Sequence, residues 1–295
     1  MKKSYQFSVL LSVLFASNVV AQITKSISGL HHVESVVSEG KFLYAADIGN
    51  ALSPTTKDGD GQIIKYDKKG KLIDAAFSKE RLNAPKGLSV NDGVLFLNDI
   101  DRVVALDLSS GNKLYEIDFS KETSFLNDSA VWDDATLFVS ATDTSKLFKV
   151  NLTNQSYTEI KTDITIAGVN GLFCYKKASR LYVNGFGSNN QPNGVVGYIN
   201  LKDNTFKRLT NLEGYFDGLY ISKDVLYVGN WVAFEKKGVV MGINLINNRC
   251  TKIKTIEPIS GPADFIIKND ELIMPAMLSG EIHFIQLDSD LSLKL

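Results

Sequence analysis

Short apolar runs broken by polar turns return along this chain in one repeated arrangement. Six segments align: VESVVSEGKFLYAADIG from Val33, PKGLSVNDGVLFLNDID from Pro85, NDSAVWDDATLFVSATD from Asn127, VNGLFCYKKASRLYVNGF from Val169, FDGLYISKDVLYVGNWV from Phe216 and PADFIIKNDELIMPAML from Pro262. Each begins at a polar or small position and runs into a short apolar strand. A polar turn follows, such as Asn91-Asp92-Gly93 or Asn269-Asp270, and then an alternating strand rich in Leu, Phe, Tyr and Val. Period-two alternation punctuated by Asp-Gly, Lys-Gly and Ser-Gly turns predicts β-hairpins. Third strands follow in every unit (GQIIKYD, DRVVALDL, SKLFKVNL, GVVGYINL, GVVMGINL, GEIHFIQL), and fourth strands in the first five (KLIDAAF, KLYEIDF, QSYTEIK, TFKRLT, RCTKIK).

The first polar position of each unit falls at Glu34, Lys86, Asp128, Asn170, Asp217 and Ala263, at spacings of 52, 42, 42, 47 and 46 residues. A four-stranded propeller blade takes about 40–50 residues. Six such units predict an all-β, six-bladed β-propeller, and no amphipathic helix interrupts them. The sixth unit lacks its fourth strand. Either residues 290–295 (DLSLKL) or the early stretch ITKSIS from Ile23 completes it, and a strand from the far terminus would close the ring and bury the open sheet edges.

The N-terminus changes the picture of the domain. Lys2 and Lys3 precede an apolar run from Phe7 to Ala16 and then Val19-Val20-Ala21. A basic start, a short apolar core and small residues before a cut predict a secretory signal over residues 1–21. The run is too short to span a bilayer, which takes about 20 apolar residues. Cleavage after Ala21 leaves a single propeller domain over residues 22–295, in a periplasmic or secreted setting. The leader holds two Lys and no acid, so its loss moves the formal charge from −1 to −3. With no Lys/Arg stripe to neutralise phosphates, a nucleic-acid partner is not expected.

Chemistry is limited by what the chain lacks. The two Cys, Cys174 and Cys250, fall in separate repeats and read as two separate thiols. Together with three His (His31, His32, His283) they offer no zinc spacing. CxxC, HExxH and GxSxG are absent. What remains is the ring itself, because the first strand of every propeller blade lines the central channel. Three acids, the amides of Asn127 and Asn170, and Lys86 would point at one small volume and repel unless neutralised. A divalent cation or Lys86 would do this; otherwise the mouth is polar and filled with water. A set of Glu34, Asn127, Asn170 and Asp217 offers oxygen ligands alone, which suits calcium and also magnesium or manganese.

These residues carry a resemblance. The glutamate of VESVV, the Asn-Asp of FLNDSAV, VNGL at Val169 and FDGL at Phe216 resemble the metal-site motifs of the senescence-marker-protein, gluconolactonase and luciferin-regenerating-enzyme family, in order and spacing over the mature chain. The resemblance implies an exported, divalent-metal-dependent hydrolase of lactones or related esters, with a small-molecule substrate such as a sugar-acid derivative. It implies Glu34, Asn127, Asn170 and Asp217 as ligands of a divalent cation, calcium first, with magnesium, manganese or zinc as alternatives. Asp128 would lie behind the metal, and Asp217 or Asp128 would act as general base. Lys86 departs from the pattern: a cation in the ring opposes a dication, so it either donates to a substrate oxyanion or replaces the metal's charge in a propeller that binds an anionic ligand or a protein partner without hydrolysing it. Asn127, Lys86 and Trp231 are the candidate substrate contacts, Trp231 with Phe234 as an aromatic wall. The long connections over residues 49–62 and 185–194 are candidate lids.

Overall fold

Strands in which every residue is apolar or small cannot face water, and they must be covered on both sides. In the computed structural model, which describes residues 20–287, the alternation solves this by sending successive side chains to different neighbours. Along TLFVSA, Leu137 and Val139 pack towards the preceding blade and Phe138 towards the following one. The same division splits Leu95 and Leu97 from Phe96.

Strand β1 (Val20–Ile27) opens the described chain. Blade 1 comprises β2 (Val33–Glu39), β3 (Phe42–Asp47), β4 (Gln62–Asp67) and β5 (Leu72–Asp74). Blade 2 comprises β6 (Pro85–Asn91), β7 (Val94–Asp99), β8 (Arg102–Asp107) and β9 (Lys113–Asp118). Blade 3 is β10 (Leu126–Asp133), β11 (Thr136–Ala141), β12 (Lys146–Asn151) and β13 (Ser156–Glu159). Blade 4 is β14 (Val169–Tyr175), β15 (Arg180–Gly185), β16 (Val196–Asn200) and β17 (Thr205–Arg208). Blade 5 is β18 (Phe216–Ser222), β19 (Val225–Asn230), β20 (Val239–Asn244) and β21 (Cys250–Thr255). Blade 6 is β22 (Ile266–Lys268), β23 (Glu271–Ala276), β24 (Glu281–Gln286) and, as its outer strand, β1. Pairing within every blade is antiparallel. The expected six-bladed β-propeller is the fold.

The N-terminal stretch closes the ring. Strand β1 pairs antiparallel with β24 from Gln22↔Gln286 to Ile27↔Ile282, and its first two residues lie parallel to β21. The other closing candidate, residues 290–295, lies outside the described residues, as does the expected leader up to residue 19. Cleavage after Ala21 would keep the β24 pairing whole and remove the short contact to β21. An apolar cluster fills each gap between adjacent blades, including the gap between blades 6 and 1, where Ile273, Ile282 and Phe284 meet Val36, Leu43 and Ile64. Burial of this kind stabilises by about 25 cal/mol per Å² of apolar surface. Cys174 and Cys250 are both free thiols, as their separate repeats implied. No helix among the described residues is long and apolar enough to cross a membrane.

Candidate functional site at the channel mouth

The innermost strand of each blade starts with one ladder pair and then breaks register. Pairing skips between Val33 and Ser35, Pro85 and Leu88, Leu126 and Ser129, Val169 and Leu172, and Phe216 and Leu219. Such a bulge re-aims the residue inside it. The residue that follows the first pair is Glu34, Lys86, Asn127, Asn170 and Asp217, and Ala263 follows the Pro262↔Ala276 bridge of blade 6. These six form the ring at one end of the channel. In blade 3 the ring position is therefore Asn127, one residue earlier than the spacing suggested, and Asp128 takes the next position. The crowding is tight at that next position: a Cβ on Gly87 would stand 2.5 Å from the Cα of Asp128, and one on Gly218 2.6 Å from the Cα of Asp264. The bend of these strands demands glycine or a residue that can turn away.

Five of the ring residues are polar and buried. Glu34 is 4% exposed, Lys86 1%, Asn127 4%, Asn170 2% and Asp217 4%. Glu34 Oε2, Asn127 Oδ1, Asn170 Oδ1 and Asp217 Oδ1 are enclosed by protein with no hydrogen-bond partner. A buried unpaired acceptor costs about 1–3 kcal/mol unless water or a ligand in the cavity answers it; among the described residues Asn98 Oδ1 and Asp264 Oδ2 are likewise without a protein partner, away from the mouth. All four residues face one cavity of about 530 Å³. Burial pushes Asp217 up to about 7, helped by the charge of Asp128 and opposed by the Trp231 hydrogen bond. Burial and the neighbouring charge of Asp217 raise Glu34 well above the usual carboxylate range, against the pull of Lys86. Burial lowers Lys86 to about 8, with Glu34 and Asp99 opposing.

The remaining candidates are placed as follows. Lys86 sits in the ring, and its Nζ donates to the Ala84 carbonyl at 3.0 Å and stands 4.9 Å from the Phe125 ring centroid. Trp231, directly after β19, donates its indole N–H to Asp217 Oδ2 at 2.8 Å and lines the cavity. Asp128 does not face the mouth. Its Oδ2 accepts the N–H of Leu172 at 2.7 Å and its Oδ1 that of Ser129 at 2.7 Å. It lies beyond the ring with Asp264, opposite it across the channel; burial and then the charge of Asp128 raise Asp264 well above the usual carboxylate range. The bulge turns Asp128 away from the mouth, so that of these two acids it is Asp217 that lines the cavity. Leu52 and Pro54 bring the loop over residues 49–62 to the cavity rim, and Lys57 ties that loop to Asp101 of the next blade. His31 and His32 stay outside: their N–H groups are taken by Asp47.

Sequence reading missed the clamps that aim the ring. Asp47 accepts from His31, His32 and Gly49; Asp99 accepts from Asn83 and Ala84; Asp143 accepts from Ser124. Each fixes the stretch that leads into its blade's inner strand. The signal was present as an acid at or just past the end of successive second strands, in AAD, LND and ATD. It also missed Phe186 and Tyr215, which join Trp231 and Phe234 in one aromatic cluster.

No group of three or more His, Cys, Asp or Glu among the described residues is arranged to hold a metal ion. The ring set differs in kind, with two carboxylates and two amides, all oxygen donors. Its four orphaned oxygens fit a hard cation such as calcium, which takes carboxylate and amide oxygens together.

No family model and no curated protein matches this chain. Solved structures do. A selenomethionine-substituted virginiamycin B lyase from Staphylococcus aureus has a TM-score of 0.61 at 13% identity over 90% of this chain and 99% of that one. A catalytically inactive histidine-to-alanine variant of that lyase, solved with quinupristin, gives 0.60 at 13% identity over the same shares. A nidogen/laminin complex gives 0.57 at 12% identity over 83% of this chain and 85% of that one. At such identity these likenesses speak to fold alone: this chain is a six-bladed β-propeller whose cavity opens at one end of the channel.

Proposed function

We propose that this propeller is an exported divalent-metal-dependent hydrolase of lactones or related esters, with the cation, calcium first, held by Glu34, Asn127, Asn170 and Asp217. The observation that carries the reading is the set of four buried oxygens, one from each of four blades, without hydrogen-bond partners. When bound, such a cation supplies Lewis-acid polarisation of a carbonyl and lowers the pKa of a water. The chain's own groups do the rest. The indole N–H of Trp231 holds Oδ2 of Asp217 and leaves Oδ1 towards the cavity, where one lone pair would ligate the cation and the other would accept the proton of a water as general base. Lys86, buried and lowered to about 8, remains largely cationic at neutral pH and faces the same cavity, where it can donate to an oxygen that gains charge. The enclosed floor keeps both groups out of bulk water, which strengthens each interaction.

Lactone turnover by purified protein, lost in Glu34→Gln and Asp217→Asn and dependent on added calcium, supports this reading. No turnover with a cation bound, or turnover unaffected by either substitution, contradicts it. One observation favours a second reading. Lys86 brings a buried positive charge into the ring itself, so the mouth would hold an anionic ligand with no cation and no hydrolysis. None of the three His lines the cavity, so neither reading gives a histidine the role of base.

A further inference from the structure

The cavity divides into a floor with unanswered polar atoms and a wall whose polar atoms below the rim are mostly engaged. On the wall, the Tyr215 hydroxyl donates to the Asn190 carbonyl at 2.7 Å and the Thr142 hydroxyl to the Val169 carbonyl at 2.9 Å. The Ser145 hydroxyl accepts from Gly168 at 3.0 Å, and Asp143 is taken by Thr123 and Ser124. The amides of Asn189, Asn190 and Gln191 stand at the solvent-exposed rim. Below that amide-bearing rim, what the wall offers a ligand is mainly rings. Phe186 lies 5.2 Å from Tyr215, 5.5 Å from Trp231 and 5.9 Å from Phe234 by centroid, and Phe234 lies 5.4 and 5.6 Å from Tyr215 and Trp231. Phe234 is 56% exposed, an apolar ring left uncovered over the mouth. The turn that presents it holds Val232 at φ 63°, a left-handed conformation that a β-branched residue adopts at a cost. Strain kept in a turn that carries an exposed ring over a cavity marks that ring for use.

We infer that the ligand of this cavity is a lactone or ester with a flat aromatic body, its ring seated on Phe186, Tyr215, Trp231 and Phe234 and its one polar end on the floor. The inference rests on the floor being the reacting end, as proposed above, and it narrows the substrate class away from sugar acids. A polyhydroxylated lactone would lay hydroxyls against rings that cannot bond them, and each desolvated hydroxyl costs about 1–3 kcal/mol. An aryl group gains from edge and offset contacts instead. A cavity of about 530 Å³ has room for such a molecule.

The test separates binding from turnover. The chain has two tryptophans, and Trp132 packs against Phe138 away from the cavity, so Trp132→Phe leaves Trp231 as reporter. In that background 2-acetylnaphthalene, a ketone that cannot be hydrolysed, quenches the fluorescence saturably at one site. Phe234→Ala weakens this binding about tenfold and Phe234→Leu less, while glucono-δ-lactone at equal concentration does not displace the probe. In parallel, dihydrocoumarin is hydrolysed with a higher kcat/KM than glucono-δ-lactone. Absence of saturable quenching, equal affinity in Phe234→Ala, or displacement by the sugar lactone overturns the inference. Probe binding as described with neither lactone hydrolysed upholds the aromatic site and removes the hydrolase reading. Hydrolysis of the sugar lactone without probe binding does the reverse.

Discussion

The indole N–H of Trp231 donates to Asp217 Oδ2 at 2.8 Å, and Asp217 Oδ1 is left buried and unpaired towards the channel mouth. Two residues 14 positions apart, one on the inner strand of blade 5 and one at the end of its second strand, thus fix which carboxylate oxygen the cavity sees. Trp231→Phe keeps the ring in its aromatic cluster and removes the donor. Partners that orient a metal ligand are worth about 10–100-fold in affinity. Calcium binding by calorimetry is expected to weaken about tenfold in Trp231→Phe, and the apo protein to lose about 1–3 kcal/mol in denaturant unfolding, because Asp217 Oδ2 is left buried without its donor.

Lys86 opposes the cation. Two unit charges about 4 Å apart interact by about 4 kcal/mol at an effective dielectric of 20. Lys86→Met retains the buried stem and removes the charge. Calcium affinity is expected to rise at least about tenfold, while lactone turnover falls because the donor is gone. An unchanged calcium affinity would place the ammonium outside the cation's field. Tight calcium binding by Lys86→Met with none by the unaltered protein would favour the anion-binding reading.

Burial gives the apo protein an unusual pH dependence. Asp128 and Asp217 titrate at about 7 in the fold, above the 3.8 of a free aspartate, with Glu34 and Asp264 raised in the same direction. A raised acid contributes stability that is whole below its unfolded pKa and is lost as pH rises through its folded pKa. Chelator-treated protein should therefore melt at a higher temperature at pH 5 than at pH 7. Carboxylates held low, such as Asp107 at about 2, lose their contribution only below pH 4, outside this window. Added calcium should restore most stability at pH 7–8 and least at pH 5. Thermal melts with chelator and with calcium across that range check both.

Asp128 has a structural task. It accepts the N–H groups of Leu172 and Ser129 behind the ring. Asp128→Ala would leave both donors unsatisfied, a loss of about 2–4 kcal/mol in denaturant unfolding. Asp128→Asn keeps one acceptor and should lose less. Either variant should still bind calcium if folded.

Much of this was readable before folding, because a repeat that needs covering on both faces leaves a strict alternation in the sequence. The bulge was not. It inserts one residue in the inner strand, and a slip of one residue exchanges the two faces of a strand. Repeat spacing points to Asp128 in blade 3, whereas the bulge between Leu126 and Ser129 puts the adjacent Asn127 in the ring. The strand that closes blade 6 was narrowed to two segments, since both termini carry strand-like patterns and pairing across the ring leaves no local signal. Trp231 and Phe234 were visible as a motif, yet Phe186 and Tyr215 join them only because two loops of different blades meet above the channel.

Everything proposed for the mouth depends on four buried oxygens holding a cation. Elemental analysis followed by calcium titration of the chelator-treated protein tests this most directly. One divalent ion per chain is expected, with binding lost in Glu34→Gln and Asp217→Asn and weakened about tenfold or more in Asn170→Ala. A folded protein that binds no divalent cation at millimolar concentration, or binds it equally in all three variants, would contradict it.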